Sequence, residues 1–192
     1  MDVRVGGNIG RPALDLIDDQ MPDVFVLELS SFQLETTSSL RPCSAAILNL
    51  SADHMDRYDD FSSYVKTKKR ILTNAETAVI NVDDSDLAQL NLRDGVRKIS
   101  FSLSCPASDQ EYGVQSDGSH EWIMRGREKI VRTDLLSMNG RHNILNALAA
   151  IGLVEGSGHS VSDQMIKALT ELRGLPHRCE QVLCKDGITW IN

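Results

Sequence analysis

The sequence has no excess of basic residues and no long apolar run, and these two absences exclude several classes of protein. Its 192 residues include 20 lysines and arginines against 27 aspartates and glutamates, which gives a net charge of −7. Binding to nucleic acid depends on positive charge that faces the phosphate backbone, so we expect no nucleic-acid partner. The longest apolar stretches, at residues 24–27 and 45–48, are far shorter than the roughly 20 residues that a membrane span needs. We therefore expect no contact with a membrane.

Signals for export and for a disulfide or zinc framework are also missing. The N-terminus has no basic segment followed by an apolar core, so we expect no signal peptide and a cytoplasmic protein. The four cysteines contain no C-x-x-C pair and no zinc-finger spacing, and they are Cys43, Cys105, Cys179 and Cys184. A chain of this length folds without a disulfide framework, so we interpret them as free thiols.

Short apolar runs alternate with helical segments along the chain. Three runs are typical of strands that are buried on both faces, at residues 24–29, 45–50 and 78–82. Helices are predicted at residues 31–40, 61–74, 143–156 and 161–172. This order predicts an α/β fold with a mostly parallel central sheet flanked by helices.

The pattern changes between residues 96 and 136, where apolar and polar residues alternate. Turns at Asp117-Gly118 and Arg125-Gly126 divide this stretch, as in β-hairpins. We expect a small antiparallel sheet here, within one domain. Both ends of the sequence interrupt a pattern, a loop near Gly6 and a strand at 190–192, so we expect a piece of a longer protein.

Polar side chains follow the first two predicted strands directly. They are Glu28 at the end of the first strand with Ser30 and Gln33 after it, and Asp53, His54 and Asp56 after the second strand. Ligands bind beyond the carboxyl ends of the strands in open parallel sheets. A carboxylate and an imidazole there could share a divalent cation, while serine and glutamine could donate hydrogen bonds to a substrate. The same residues could instead cap helices or lie on the surface.

Lys68 lies on the apolar face of the predicted helix at residues 61–74. It shares helical spacing with Tyr64 and Leu72, whereas Lys66 and Arg70 fall outside this face. Burial would disfavour the charged ammonium of Lys68 and leave a neutral amine that is open to covalent modification. Alternatively, only the aliphatic stem packs and the ammonium reaches water.

Three further motifs could contact a nucleotide or another anion. Residues 6–10, Gly-Gly-Asn-Ile-Gly, could form a backbone nest or a simple turn. Asn143 and Asn146 begin a helix, where one could cap it and both could bind a purine edge. The turn at residues 174–178 presents an imidazole and a guanidinium, or is only a surface loop. No G-x-x-x-x-G-K-[ST] phosphate loop occurs.

Five segments resemble the Mur ligase family in their amino-acid sequence and in their order along the chain. They are residues 7–10, 28–33, 53–58, 140–146 and 174–178. The run from Glu28 to Glu35 is similar to the branch of the family that adds D-glutamate. The resemblance covers essentially all of residues 1–192 and implies a partial ATP-binding central domain. The uridine-binding N-terminal domain, the phosphate loop and the C-terminal domain of the family would then be absent from this sequence.

This resemblance implies a two-step ligase in the synthesis of peptidoglycan precursors, with ATP and Mg²⁺ as cofactors. Its substrates would be UDP-N-acetylmuramoyl-L-alanine and D-glutamate, joined through an acyl phosphate. The implied catalytic and metal-binding residues are Glu28, His54 and a carbamylated Lys68. The implied substrate-binding residues are Asn8, Ser30 and Gln33, and those around ATP are Asn143, Asn146, His177 and Arg178. We expect a monomer that is inactive without the missing domains.

Three alternatives remain open at this point. The first is a related folyl-polyglutamate-type ligase, which the wording of residues 28–35 and the His177-Arg178 turn disfavour. The second is a metal-dependent hydrolase that activates water with His54, Asp56 and a carbamylated Lys68. The third is a protein without catalysis, either a nucleotide- or partner-binding module or a relic that folds poorly.

Overall fold

A computed structural model describes residues 1–52, 55–138, 140–172, 181–185 and 188–191 of the chain. The contacts within it define two units, each made of two segments. Unit one comprises Met1–Arg41 and Ser51–Asn74, and unit two comprises Pro42–Leu50 and Ala75–Asn192. The two units are described separately below.

Unit one contains a parallel pair of strands and two helices. The elements are β1 (Val3–Gly7), β2 (Val24–Glu28), α1 (Ser31–Thr36) and α2 (Phe61–Lys69). The register of the pair runs from Val3 opposite Val24 to Gly7 opposite Glu28. The loop after β1 and the start of α1 therefore both follow the carboxyl end of this small sheet, where ligands bind in parallel sheets.

Helix α2 begins at an aspartate cap and packs against α1. The Asp60 side chain accepts a hydrogen bond from the backbone N–H of Ser63 at 2.7 Å, which satisfies a donor that the first turn leaves unpaired. A 3₁₀ turn, Arg70–Leu72, continues the helix. Among the described residues of unit one, the buried apolar side chains are Leu16, Leu34, Tyr64, Val65 and Leu72.

Unit two is built on one six-stranded sheet. Its strands are β3 (Ser44–Ile47), β4 (Thr77–Asn81), β5 (Arg97–Phe101), β6 (Glu111–Ser116), β7 (Glu121–Arg125) and β8 (Glu128–Arg132). They lie in sequence order, parallel from β3 to β6 and antiparallel from β6 to β8. All five residues of β4 are buried, as expected for a parallel strand that is covered on both faces.

Among the described residues, unit two also contains three α-helices, a hairpin and a 3₁₀ turn, Thr133–Leu135. The helices and the hairpin strands are α3 (Ser85–Ala88), α4 (Arg141–Gly156), α5 (Asp163–Glu171), β9 (Gln181–Lys185) and β10 (Ile188–Ile191). Helix α4 packs on β3, β4 and β5. Gly152 permits this close approach, because a Cβ there would lie 2.8 Å from Val79 Cγ1. Phe101, Tyr112, Ile123, Leu148 and Ile151 fill the core beside it.

Helix α4 ends at Gly156, the last residue of the helix predicted at 143–156, and Gly158 follows its C-cap. The N–H of Gly158 donates to the carbonyl of Glu155 at 2.9 Å, and that of His159 donates to the carbonyl of Val154 at 3.2 Å. Gly158 has φ +86°, the left-handed conformation that this type of helix end requires.

The predicted α/β fold with a mostly parallel sheet, helices and antiparallel strands is confirmed, with three differences. Val3–Gly7 forms a strand that the sequence analysis treated as loop, and it pairs with β2, whereas β3 pairs with β4. Strand β5 lies inside the stretch expected to be antiparallel but is parallel to β4 and β6. The antiparallel strands β6 to β8 extend the main sheet instead of forming a separate one. Among the described residues, no helix has the length and apolar character to cross a membrane.

Candidate active site

The glycine loop after β1 is held against the carboxyl end of β2. The backbone N–H of Asn8 donates to the carbonyl of Glu28 at 2.7 Å, and its side-chain Nδ2 lies 3.4 Å from Glu28 Oε1. Gly7 has φ +116°, and a Cβ there would lie 2.3 Å from the Glu28 carbonyl oxygen. Only glycine fits this close contact. The structure therefore brings Asn8 and Glu28 together, and both side chains are exposed to solvent.

Ser30 and Gln33 form a reciprocal cap at the start of α1. The backbone N–H of Gln33 donates to Ser30 Oγ at 3.3 Å, and the backbone N–H of Ser30 donates to Gln33 Oε1 at 2.9 Å. This capping box gives a structural reason for the serine and the glutamine in residues 30–33, as an alternative to substrate binding. Within the described part of the chain, the Nε2 amide of Gln33 donates to no protein acceptor, so this group is available to a ligand.

Lys68 lies near the end of α2, partly buried beside Tyr64. Its Nζ is 5.7 Å from the centroid of the Tyr64 ring, within the range of a cation–π contact. The buried residues of this face include Tyr64 and Leu72, whereas Lys66 and Arg70 are exposed, as the helical spacing predicts. The i, i+4 spacing of Tyr64 and Lys68 thus gives the lysine an aromatic neighbour. Its carbamylation stays a prediction.

A carboxylate-centred cluster that the sequence analysis missed joins α1 to the segment before α2. Arg57 donates to Glu35 through Nε at 3.2 Å and through Nη2 at 2.7 Å, and the Tyr58 hydroxyl donates to Glu35 Oε1 at 2.7 Å. These hydrogen bonds, first that of Arg57 and then that of Tyr58, lower the pKa of Glu35 from 4.5 to about 2. Opposite charges in the two motifs were the available signal, but the partners are 22 positions apart.

His54, together with Asp53, lies outside the described residues, so its predicted position near Glu28 stays a prediction. Among the residues that the structure does describe, no group of three or more histidine, cysteine, aspartate or glutamate side chains could hold a metal ion. Of the predicted metal ligands, Glu28 and Lys68 are therefore the two that can be placed, at the end of β2 and in α2.

Asn143 and Asn146 lie in the first turns of α4, in unit two. Asn146 Nδ2 is 3.4 Å from Asn143 Oδ1. The expectation that one of them caps the helix is wrong, because the N-cap is Gly140, with φ +103°, and no side chain accepts a capping hydrogen bond there. His177 and Arg178, the other predicted contacts of ATP, lie outside the described residues.

Comparison with known proteins gives a consistent result. Residues 9–154 match the model of the Mur ligase middle domain. The chain is 45% identical over 190 residues to the UDP-N-acetylmuramoylalanine–D-glutamate ligase of Nitrosococcus oceani, covering 99% of this chain and 41% of that protein. It is 44% identical over 191 residues to the protein of the same name from Acinetobacter baylyi, covering 99% and 42%. The chain thus spans about two fifths of the length of these relatives.

Solved structures share the fold. The MurF ligase from Thermotoga maritima in complex with ADP aligns with a TM-score of 0.72, at 18% identity, over 99% of this chain and 46% of that one. A UDP-N-acetylmuramoyl-L-alanyl-D-glutamate–2,6-diaminopimelate ligase aligns with a TM-score of 0.67, at 21% identity, over 85% and 35%. The match of the middle-domain model to most of the sequence, and the identity to curated relatives, show that this chain belongs to the Mur ligase family.

Proposed function

We propose that this chain is the middle-domain part of an ATP-dependent ligase that adds D-glutamate to UDP-N-acetylmuramoyl-L-alanine in the synthesis of peptidoglycan precursors. The observation that carries the proposal is the name shared by relatives that are 41–45% identical across 97–100% of this chain, UDP-N-acetylmuramoylalanine–D-glutamate ligase. Because the chain spans 41% of the Nitrosococcus oceani relative, the activity is that of the complete protein.

The proposed reaction has two steps. The carboxylate of UDP-N-acetylmuramoyl-L-alanine attacks the γ-phosphorus of ATP, and ADP leaves. The amine of D-glutamate then attacks the acyl carbon of the resulting acyl phosphate, and inorganic phosphate leaves as the amide forms. Both steps bring negatively charged groups together, so the site must supply positive charge and hydrogen-bond donors at fixed positions.

The oxygen ligands near the end of β2 suit Mg²⁺. The ion prefers carboxylate and other oxygen ligands, and the exposed Glu28 carboxylate provides such a group. In the proposed site Glu28 would hold one ion, and His54 with a carbamylated Lys68 would hold a second. When bound, the ions neutralise charge between the substrate carboxylate and the phosphates.

The remaining predicted residues bind and orient the two substrates. In unit one, the Asn8 side chain and the Gln33 Nε2 amide would donate hydrogen bonds to UDP-N-acetylmuramoyl-L-alanine, beside the Ser30 cap that fixes the start of α1. In unit two, the two exposed or half-buried amides at the start of α4 would bind the adenine and ribose of ATP, together with the residues of the 174–178 turn. These residues are Asn143, Asn146, His177 and Arg178. We further propose that the complete protein is a monomer of the cytoplasm.

The test uses the complete protein that contains these residues, supplied with ATP and Mg²⁺. We expect phosphate release that requires both UDP-N-acetylmuramoyl-L-alanine and D-glutamate. Lys68→Ala should abolish this release. Lys66→Ala is the matched control, because Lys66 has the same charge on the exposed side of the same helix and should retain the activity.

The outcomes separate the ligase from its alternatives. Release without D-glutamate, or with another amino acid in its place, would replace this substrate assignment by that of another ligase. Binding of ATP without turnover would favour a nucleotide-binding module instead. Equal effects of the Lys68 and Lys66 substitutions on phosphate release would show that Lys68 is not part of the site.

A further inference from the structure

The Glu35 carboxylate is the meeting point of two segments that carry predicted site residues. Glu35 lies in the last turn of α1, the helix that begins with the Ser30 and Gln33 cap. Both of its oxygens accept hydrogen bonds from residues 57 and 58, in the segment that follows His54 in the sequence. The Arg57 guanidinium also lies over the Phe32 ring of α1, with Cζ 4.9 Å from the ring centroid. Two contacts of different kinds therefore fix this segment on one face of α1.

The same cluster continues into α2 through aromatic rings. The ring of Tyr58 meets that of Tyr64 edge to face, with centroids 5.4 Å apart and planes at 70°, a favourable geometry for an aromatic pair. The Tyr64 ring also contacts Lys68, whose Nζ lies 5.7 Å from the ring centroid. Tyr64 is only 4% exposed, so its ring has little room to move independently of these neighbours.

We propose that Glu35 is a positioning residue: by holding Arg57 and Tyr58 on α1 it sets the position of the segment after His54 and, through the rings of Tyr58 and Tyr64, the surroundings of Lys68. This inference rests on the proposed function, because it concerns the same site. Glu35 itself is not proposed to touch a substrate. It acts through its hydrogen bonds to the segment and through the ring contacts that continue from the segment into α2.

A purely structural role would give a different result. The Glu35 and Arg57 side chains are 27% and 55% exposed, and exposed ion pairs contribute little to the stability of a fold. Loss of the cluster should therefore leave global stability almost unchanged. Its effect should instead fall on the geometry of the site, where a small displacement lowers the rate strongly.

The experiment compares Glu35→Gln with Asp134→Asn in the complete protein. Asp134 is a matched control, since its carboxylate also binds one arginine in a bidentate manner, through Arg132 Nε at 2.9 Å and Nη2 at 2.5 Å, but in unit two. For Glu35→Gln we expect kcat to fall about tenfold or more, as a misplaced group would cause. The KM for ATP should stay within about twofold, because the loss falls on the chemical step and not on nucleotide binding. The melting temperature should change by no more than about 2 °C.

A second readout does not depend on catalysis. In bicarbonate-free buffer, where Lys68 carries a free amine, the rate at which an amine-reactive reagent labels Lys68, followed by mass spectrometry, should change in Glu35→Gln. The labelling of exposed Lys167 on α5 should not change. Tyr58→Phe keeps the ring against Tyr64 but removes one hydrogen bond to Glu35, so it should have a smaller effect on both readouts.

The proposal is overturned if Glu35→Gln behaves like Asp134→Asn in both kcat and the labelling of Lys68. It is also overturned if the loss of kcat accompanies an equal fall in melting temperature and a general rise in lysine labelling, since the residue would then be structural. If the unsubstituted protein performs no ligation, the proposed function fails, and the labelling of Lys68 still decides whether Glu35 controls its surroundings.

Discussion

Three hydrogen bonds from two residues converge on Glu35, and they make its charge sensitive to pH in a defined range. The bonds from Arg57 and Tyr58 stabilise the carboxylate, so the pKa of folded Glu35 is about 2, below its ordinary value of 4.5. A group whose pKa is lowered in the folded state stabilises the fold above its ordinary pKa. This contribution is lost as the pH falls from 4.5 through about 2.

We therefore expect the Glu35 carboxyl to titrate with a midpoint near 2. In Arg57→Ala this midpoint should return towards 4.5, because the largest cause of the lowered pKa is gone. Carboxyl chemical shifts measured by NMR across this pH range provide the test. Protection factors for hydrogen exchange at residues 55–60, which are corrected for the pH dependence of the intrinsic rate, should fall over the same interval. A midpoint that is unchanged by Arg57→Ala would contradict the assignment of the cause.

Gly7 is the second residue with a sharp expectation. In Gly7→Ala the new Cβ would lie 2.3 Å from the Glu28 carbonyl at a φ of +116°, so either the loop or the end of β2 must move. Strain of this kind costs about 2 kcal/mol of unfolding free energy. Gly10→Ala is the control, because Gly10 has φ +79° and no atom within 4 Å of its Cβ position.

Denaturation by urea measures both substitutions. Gly7→Ala should lower the unfolding free energy clearly more than Gly10→Ala, which carries only the cost of a left-handed backbone, about 1 kcal/mol. Equal losses would show that the contact with Glu28 does not constrain the loop.

At the scale of elements, Glu155 ties the last turn of α4 to three strands. Its carboxylate binds Arg97 of β5, Arg125 of β7 at 2.9 Å and the Tyr112 hydroxyl of β6. Burial of the Tyr112 ring, followed by the hydrogen bond to Glu155, raises the pKa of the Tyr112 hydroxyl. The side chain of Glu155 is 12% exposed, whereas those of Arg97 and Arg125 are 42% and 35% exposed, so the carboxylate is shielded from water and its arginine partners are only partly shielded.

Substitution of Glu155 by alanine should leave two arginines without their shared partner. We expect a loss of about 2–3 kcal/mol in unfolding free energy, somewhat below the cost of breaking a fully buried pair. Tyr112→Phe removes one hydrogen bond only and should cost about 1 kcal/mol. Calorimetry of the two variants gives the comparison, and a loss in Glu155→Ala no larger than that in Tyr112→Phe would show that the arginine contacts contribute nothing.

Local patterns in the sequence predict some elements well, since the physics that forms them is local. The helical spacing of Tyr64, Lys68 and Leu72 identifies the buried face of α2, and the continuous apolar run of β4 identifies a strand covered on both faces. The end of α4 after Gly156 follows from the conformational freedom of Gly158, which has φ +86°.

Pairing between distant segments is not encoded in such patterns. Alternation of apolar and polar residues predicts a strand at Arg97–Phe101 but does not decide its direction, and β5 is parallel where a hairpin strand was expected. The pairing of β1 with β2 and the bond of Arg57 to Glu35 likewise depend on tertiary structure. In the site, the resemblance assigns Asn8 to the substrate and Glu28 to a metal ion, but no pattern in the sequence predicts the hydrogen bonds between these two residues.

At the scale of the whole molecule, the main expectation concerns what the 192 residues can do without further chain. No G-x-x-x-x-G-K-[ST] phosphate loop occurs in this sequence, and such a loop is the usual electrostatic clamp on a triphosphate. We therefore expect the purified chain to release no phosphate in response to UDP-N-acetylmuramoyl-L-alanine and D-glutamate, whereas the complete protein does. The Lys68→Ala variant of the complete protein sets the background of the assay. Robust release by the chain alone would contradict this expectation.

The division of the chain between its two units also bears on how it folds during synthesis. Residues 42–50, which include β3, belong to unit two but are made before residues 51–74, which complete unit one. Strand β3 is therefore made before β4, the strand with which it pairs, and it stays unpaired until β4 emerges from the ribosome. Unpaired apolar strands promote aggregation in partly made chains. A pause in translation between residues 50 and 77 would prolong that state, so chaperone demand should depend on the speed at which this stretch is translated.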